Sequence, residues 1–333
     1  MKKFSAVCLV ILAFTTFVSC GDDENSVSIP KVTTGEITDV TESSVHISAE
    51  ISDNGNAKII ERGFVYSSVV SEPTLINEKV VSEDTENVFN SMLDELEPET
   101  TYHIRAYATN KRGTGYGESI SFTTEKPGPT TNGLVAYYNF EDNTNDQFGN
   151  NDAVPGGGAM LTYSFVNELR EKAVNFSVAD ANYAVIDNTF DFENKTICFW
   201  VKADVITDNI MVPFVSDNPN KQFGLVGMYV MRDAGQKVFL LNVGGNPVTF
   251  PATEGVWYHI TMVGAAKSYK YYINGSLMAQ GTFDTYLKSS NGVEDTIIGS
   301  SRIFNLFFSG SLDNLRIYSR ALSAEEIAII ASY

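Results

Sequence analysis

The sequence predicts an all-β chain built as two successive sandwiches. Three observations predict it. Apolar and polar residues alternate in Ser44–Ile51, Thr101–Ala108, Tyr116–Phe122 and Tyr269–Ile273, and a period of two puts successive side chains on opposite faces of a strand. Clusters of Gly, Asn, Asp and Pro interrupt these runs at short intervals, as hairpin-built sandwiches require. One stretch alone carries a strong helix signal: Ser323 and Glu326 form a capping box, and Ile327, Ile329 and Ile330 supply an apolar face behind it. With 21 Phe and 16 Tyr, the chain has ample aromatic surface for β cores.

The first element is a targeting segment. Lys2 and Lys3 precede an apolar run, Phe4–Phe17, that is too short to span a bilayer as a stable helix. The run ends in Phe17-Val18-Ser19-Cys20-Gly21, which resembles the lipobox at which bacterial lipoprotein signal peptides are cut before the Cys. Residues 1–19 are then a lipoprotein signal peptide and Cys20 the lipidated first residue. The plainer alternative is an ordinary cleaved signal peptide in which Cys20 is incidental. Acyl chains anchor by burying methylenes at ~0.8 kcal/mol each, so several on one Cys hold a protein to a membrane. Residues 20–29 form an acidic tether. Its start, Asp22-Asp23-Glu24, resembles the surface-export signal of some Gram-negative lipoproteins and implies an outer-membrane lipoprotein exposed at the cell surface, the periplasmic face being the alternative.

Charge and cysteine usage narrow the function classes. The net charge of −18 repels phosphate backbones, so nucleic acid is not an expected partner. Of three cysteines, Cys8 leaves with the signal peptide, and Cys198 is then the one thiol besides Cys20. That excludes a disulfide framework and a zinc cluster, and makes Cys198 a small buried apolar residue.

Residues 30–124 read as a first sandwich of seven short strands. Leu96-Glu97-Pro98-Glu99-Thr100-Thr101-Tyr102 resembles the stretch that opens strand F of fibronectin type III domains. That resemblance implies a fibronectin type III-like β-sandwich in which the Tyr102 ring packs in the core and its hydroxyl bonds upstream backbone, a tyrosine corner. The second strand departs from the family pattern: Val45 and Ile47 stand where many such domains bury a Trp. Gly113-Thr114-Gly115-Tyr116-Gly117 lacks the following helix and the Lys of a phosphate loop, and reads as hairpin glycines. Residues 125–131, Glu125-Lys126-Pro127-Gly128-Pro129-Thr130-Thr131, cannot continue a central strand and form the linker.

Residues 132–333 make the second domain. Three blocks resemble laminin G-like, concanavalin A-like jelly rolls. They are Gly133–Asp142 with Asp146, then Val256–Thr261 with Lys270–Gly275, then Phe308–Ser323. The resemblance implies a concanavalin A-like jelly-roll sandwich whose terminal strands lie side by side. That pairing would bring Glu141, Asp142 and Asp146 close to Asp313, and hard oxygen ligands of this kind suit one structural Ca²⁺. The alternative is that Glu141 and Asp142 cap a turn while Asp313 pairs with Arg316 or Arg320. Asn274-Gly275 suits a type I′ hairpin turn. Trp200 and Trp257 sit between apolar neighbours and read as packing residues, and His259 as a satisfied strand residue.

Catalysis is not expected, and no catalytic residue is assigned. The three histidines, His46, His103 and His259, lie in strand patterns, and neither a Gly-x-Ser-x-Gly elbow nor a His-Glu-x-x-His pair occurs. The Glu-x-Asp-x-x-Glu strand motif of glucanases with the concanavalin A-like fold is missing from the second domain. Asp180, Asp187, Asp191 and Glu193 read as loop and turn residues, and Glu325-Glu326 as the acidic first turn of the helix. The resemblance implies glycan binding by the second domain of a monomer, with the first as spacer. Loop residues Tyr229, Arg232, Asp233, Asn242 and Asn246 are the candidate contacts. The alternatives are a protein-binding or adhesion module, or a structural subunit of an outer-membrane complex.

Overall fold

The computed structural model describes residues 26–158, 160–167, 170–188, 190, 192–216, 226–282, 295–301 and 306–333, with backbone alone for 164–171. Cys20, the signal segment and Asp191 lie outside the described residues. The chain divides into two compact units, Met1–Pro127 and Gly128–Tyr333. Every sheet pairing among the described strands is antiparallel.

The first unit holds β1 (Lys31–Thr38), β2 (Val45–Asp53), β3 (Glu61–Ser67), β4 (Glu78–Val81), β5 (Val88–Leu93), β6 (Thr101–Asn110), β7 (Gly113–Tyr116) and β8 (Ile120–Thr123). One sheet runs β1-β2-β5. The other runs β4-β3-β6-β7, with β8 also on β6. Alternation in β2 buries Val45, Ile47, Ala49 and Ile51 against Phe64, Phe89 and Ile104. The Tyr102 hydroxyl accepts the backbone N–H of Glu97 at 3.0 Å, the contact a tyrosine corner makes. Eight strands appear where the sequence suggests seven, because the last one breaks after Tyr116. Thr34 Oγ1 donates to the Glu118 carbonyl across that break. A Cβ on Gly117 would lie 2.4 Å from Thr34 Oγ1, and one on Gly115 would lie 1.9 Å from the Pro30 carbonyl. These glycines therefore serve close backbone approach within and beside a strand, not a hairpin turn.

The second unit opens with β9 (Leu134–Tyr138), β10 (Ala153–Gly157), β11 (Thr162–Asn167), β12 (Arg170–Phe176), β13 (Asn182–Ile186), β14 (Asn194–Ala203) and β15 (Met211–Ser216). It continues with β16 (Val226–Asp233), β17 (Gln236–Val243), β18 (Asn246–Pro251), β19 (Trp257–Ala265), β20 (Ser268–Ile273) and β21 (Ser276–Thr282). β22 (Thr296–Ile298), β23 (Gly310–Tyr318) and the helix α1 (Ala324–Ile330) complete it. One sheet has seven strands, β10-β13-β22-β15-β16-β17-β18. The other has eight, β11-β12-β23-β14-β19-β20-β21 with β9 on β23. The two terminal strands pair: Tyr137 lies opposite Arg316 and Ala136 opposite Ile317. Between the sheets, alternate residues such as Ile197, Phe199, Val201, Met228, Val230, Phe239, Leu241, Leu312 and Leu315 close one apolar core.

The same alternation sends Cys198, Trp200 and Lys202 to the outer face of the eight-stranded sheet. Trp200 is buried there, edge-on to His259 at 5.2 Å and opposite Asp313 in register, so it packs outside the inter-sheet core. Trp257 is half-buried, with Lys202 Nζ 5.7 Å from its ring centre. Next to them α1 covers Leu134, Cys198, Val263, Tyr272 and Tyr318 with Ile327 and Ile330. Ser323 caps the helix: its side chain accepts the Glu326 N–H, and Glu326 accepts the Ser323 N–H. Arg320 grips Glu326 in a two-pronged ion pair, at 2.5 and 2.9 Å. Asn274 and Gly275 both have positive φ, 50° and 77°, the type I′ geometry of the β20–β21 hairpin.

Candidate functional site: a cleft at one end of the second sandwich

The four acids proposed as calcium ligands are not brought together. Among the described residues, no group of three or more His, Cys, Asp or Glu side chains could hold a metal ion. Each acid is engaged locally. Asp146 Oδ1 accepts the N–H groups of Tyr137 and Phe148 at 2.9 and 3.0 Å, and Oδ2 accepts the N–H and side-chain amide of Asn151 at 3.2 and 3.0 Å. Burial pulls this carboxyl upward. The N–H groups of Gly149, Tyr137 and Phe148 with the Asn151 amide outweigh burial and hold it below its ordinary range. Glu141 accepts the Lys172 N–H at 2.8 Å, and Asp142 pairs with the Lys172 ammonium. Asp313 is buried beneath the sheet's outer surface and accepts from the Asn314 amide at 3.1 Å. Neither arginine offered as its partner pairs with it in an ion pair: Arg320 holds Glu326, and Arg316 lies 4.2 Å from the Tyr137 ring centre.

The proposed glycan contacts also separate. Tyr229 is a strand residue, 3 % exposed, packed with Val212, Val215 and Ile297 on the outer face of the seven-stranded sheet. Its ring lies across Gly227, where a Cβ would come within 2.9 Å of the hydroxyl. Asn242 is on the same face, opposite Gly227, and is buried. Both were expected on loops; the even alternation of β16 and β17 places them in the sheet instead. Arg232 and Asp233 are exposed at the tip of the β16–β17 hairpin. Asn246 starts β18 at the other end of β17, roughly 25 Å away at the rise of a strand.

The end of the sandwich that carries Arg232 holds a cleft of about 770 Å³. Three connections build it: Ser177–Ala179 after β12, Val205–Ile210 after β14, and Leu306–Ser309 before β23. Val178, Val205, Ile210, Leu306 and Phe307 give it apolar walls. Ser177, Thr207, Asp208, Asn209 and Ser309 give it a polar rim. Volume and lining both fall in the range of small-molecule sites, which are mostly apolar with a few placed polar groups. The walls are pinned to the scaffold by backbone hydrogen bonds. The Asp204 N–H donates to the Ser309 carbonyl at 3.0 Å, Val212 N–H to Leu306 at 3.2 Å, and Arg232 N–H to Thr207 at 2.9 Å. The Ile206 N–H donates to Glu254, whose carboxyl is lowered first by the Lys237 ammonium and then by that N–H. Asp208 points into solvent with Arg232 3.8 Å away, a pair worth little by itself at this exposure.

Sequence reading missed Asp208, Asn209 and Phe307. The signals for them are slight: Thr207-Asp208-Asn209 is a polar triplet set between Ile206 and Ile210, and Phe307-Phe308 doubles an aromatic ahead of a strand-opening glycine. Phe308 fills the core while Phe307 faces the cleft, and one-residue alternation decides which.

Residues 177–328 match a family described as the concanavalin A-like lectin/glucanases superfamily. Among solved structures, the chain is similar to domain 4 of an extracellular arabinanase from Geobacillus stearothermophilus, determined in complex with arabinotriose. The identity is 19 %, over 60 % of this chain and 98 % of that one, with a TM-score of 0.49. It is also similar to the receptor-binding domain of a botulinum neurotoxin C/D mosaic serotype, at 16 % identity over 61 % of this chain and 52 % of that one, with a TM-score of 0.45. A third likeness is the SAP-like pentraxin of Limulus polyphemus, at 18 % identity over 42 % and 70 % of the two chains, with a TM-score of 0.36. The chain thus spans about half the length of the toxin domain. No curated protein matches this sequence.

Proposed function

We propose that the protein is a non-catalytic glycan-binding lipoprotein, held at the outer membrane through Cys20, in which the first unit is a fibronectin type III-like spacer. The observation that carries the glycan reading is the pre-formed cleft, apolar within and hydroxyl- and amide-rimmed, in a sandwich whose residues 177–328 match a lectin and glucanase superfamily. Sugars present apolar C–H faces and polar hydroxyl edges, and this lining complements both. Incubating the purified protein with insoluble and immobilised polysaccharides tests the reading. Retention on at least one polysaccharide without release of reducing sugar is expected; retention on none sinks it. Labelling with a fatty-acid analogue, lost in Cys20→Ala, tests the anchor.

A second reading, protein docking, is favoured by the first unit. Val69 and Ile76, 89 % and 95 % exposed, flank a groove of about 610 Å³ lined also by Tyr66, Glu78, Glu97 and Tyr102. Exposed aliphatic side chains beside a groove are a feature of partner surfaces. Co-purification of a stoichiometric protein partner, abolished by Val69→Asp, is the outcome this reading requires.

A further inference from the structure

We infer that the end cleft selects uncharged sugars and seats two neighbouring residues of a neutral glycan, one over Phe307 and the next over Tyr183, with Asp208 and Asn209 holding hydroxyls of the first. This rests on the glycan reading and specifies its site and ligand class. Three observations carry it.

The first is charge. The described lining contains no cation. Among the described residues, the basic groups near the rim each face a carboxylate: Lys202 lies 3.4 Å from Asp204, Lys237 2.6 Å from Glu254, and Arg232 3.8 Å from Asp208. Asp180 and Asp233 are exposed near the same rim, and among the described residues neither makes an ion pair. A uronate or sulfate entering here would meet excess negative charge, whereas a hydroxyl would meet acceptors, and a hydroxyl-to-carboxylate bond is among the stronger neutral-to-charged kinds.

The second is aromatic geometry. The Phe307 ring lies in the cleft, and the half-buried Tyr183 ring sits 6.4 Å from it, tilted by 32°. In the inferred pose the two rings, one in the cleft and one on the outer face of the seven-stranded sheet, each take one of two adjacent sugar residues. Tyr183 can lie flat there because position 156 is glycine: a Cβ at Gly156 would come within 2.9 Å of that ring. The ring position is therefore set by the backbone beneath it.

The third is preorganisation. The loop bearing Asp208 and Asn209 is tied to the scaffold through Asp204 and Val212, and by the Arg232 N–H to the Thr207 carbonyl. Within it, the Asn209 N–H donates to Thr207 Oγ1 at 3.2 Å. Little ordering is left to lose on binding.

The test measures affinity of the purified protein, by calorimetry, for neutral hexasaccharides (gluco-, xylo- and manno-series) and for acidic ones (oligogalacturonate and a sulfated series). Binding to at least one neutral series is expected. Phe307→Ala and, separately, Asp208→Ala should weaken it at least ten-fold. Met278→Ala, an exposed residue of β21 on the other sheet, should leave it unchanged. Gly156→Ala should weaken it a few-fold by displacing Tyr183. Asp208 is so exposed that its variant keeps the fold even if the Phe307 variant does not. Preference for acidic glycans, or neutral binding untouched by Asp208→Ala and Phe307→Ala, overturns this inference while leaving glycan binding standing. Binding to no saccharide overturns both.

Discussion

The seam between β9 and β23 and the cleft at the end of the sandwich both carry carboxylates, and they use them oppositely. At the seam, Asp146 is buried and accepts four hydrogen bonds from backbone and amide donors, so its charge is spent on holding a loop. At the cleft, Asp208 is exposed and Arg232 stands 3.8 Å away in solvent, so its lone pairs stay open to a ligand. A buried acid stabilises the fold through the groups it satisfies. An acid over an apolar wall, with the wall pinned from behind, can spend its hydrogen bonds on something outside the chain.

The sharpest way to break this comparison is Asp146→Ala. It orphans four buried or half-buried donors and should lower unfolding free energy by about 4 kcal/mol, read by denaturant titration. A loss below about 1 kcal/mol would remove the structural role. Acid titration gives the next effect. The folded carboxyls of Asp146 and Glu326 lie below their ordinary values, Glu326 chiefly through Arg320. The unfolded chain therefore binds more protons in acid, and the stability these groups add is complete above about pH 4.5 and lost as pH falls through their folded values. Melting temperature should hold from pH 7 to 5 and drop below 4, with a shallower drop in Asp146→Ala. A smaller effect sits at the cleft end. Ala234 turns the β16–β17 hairpin with φ of 48° beside Gly235 at 82°, a conformation Asn adopts more readily. Ala234→Asn should add about 0.5–1 kcal/mol. The smallest is Asp208→Ala, which should change stability by less than about 0.5 kcal/mol, because the side chain is solvated.

Much of this architecture is legible in particular residues. The alternation of Val45, Ile47, Ala49 and Ile51 reads directly as a half-buried strand, Asn274-Gly275 as a type I′ turn, and Ser323 with Glu326 as a capped helix start. These features are local: each depends on side-chain period, a positive φ or one short-range hydrogen bond. Tyr229, Asn242 and Trp200 were harder. Their chemistry suits a ligand or a core, and only the pleat says which face each one takes. Asp146 and Asp313 are close to a terminal pairing in sequence terms, yet one turns into its own loop and the other lies across from Trp200.

By itself the sequence determined that the chain is all-β and that its final segment is a capped helix, because periodicity, turn chemistry and capping act over a few neighbours; the concanavalin A-like sandwich came from a resemblance across residues 132–333, of which 177–328 match that superfamily. Tertiary structure alone decided that Ser177, Asp208 and Phe307 share one cleft. Those residues come from three connections far apart along the chain, and they meet only because β12, β14 and β23 are adjacent strands of one sheet.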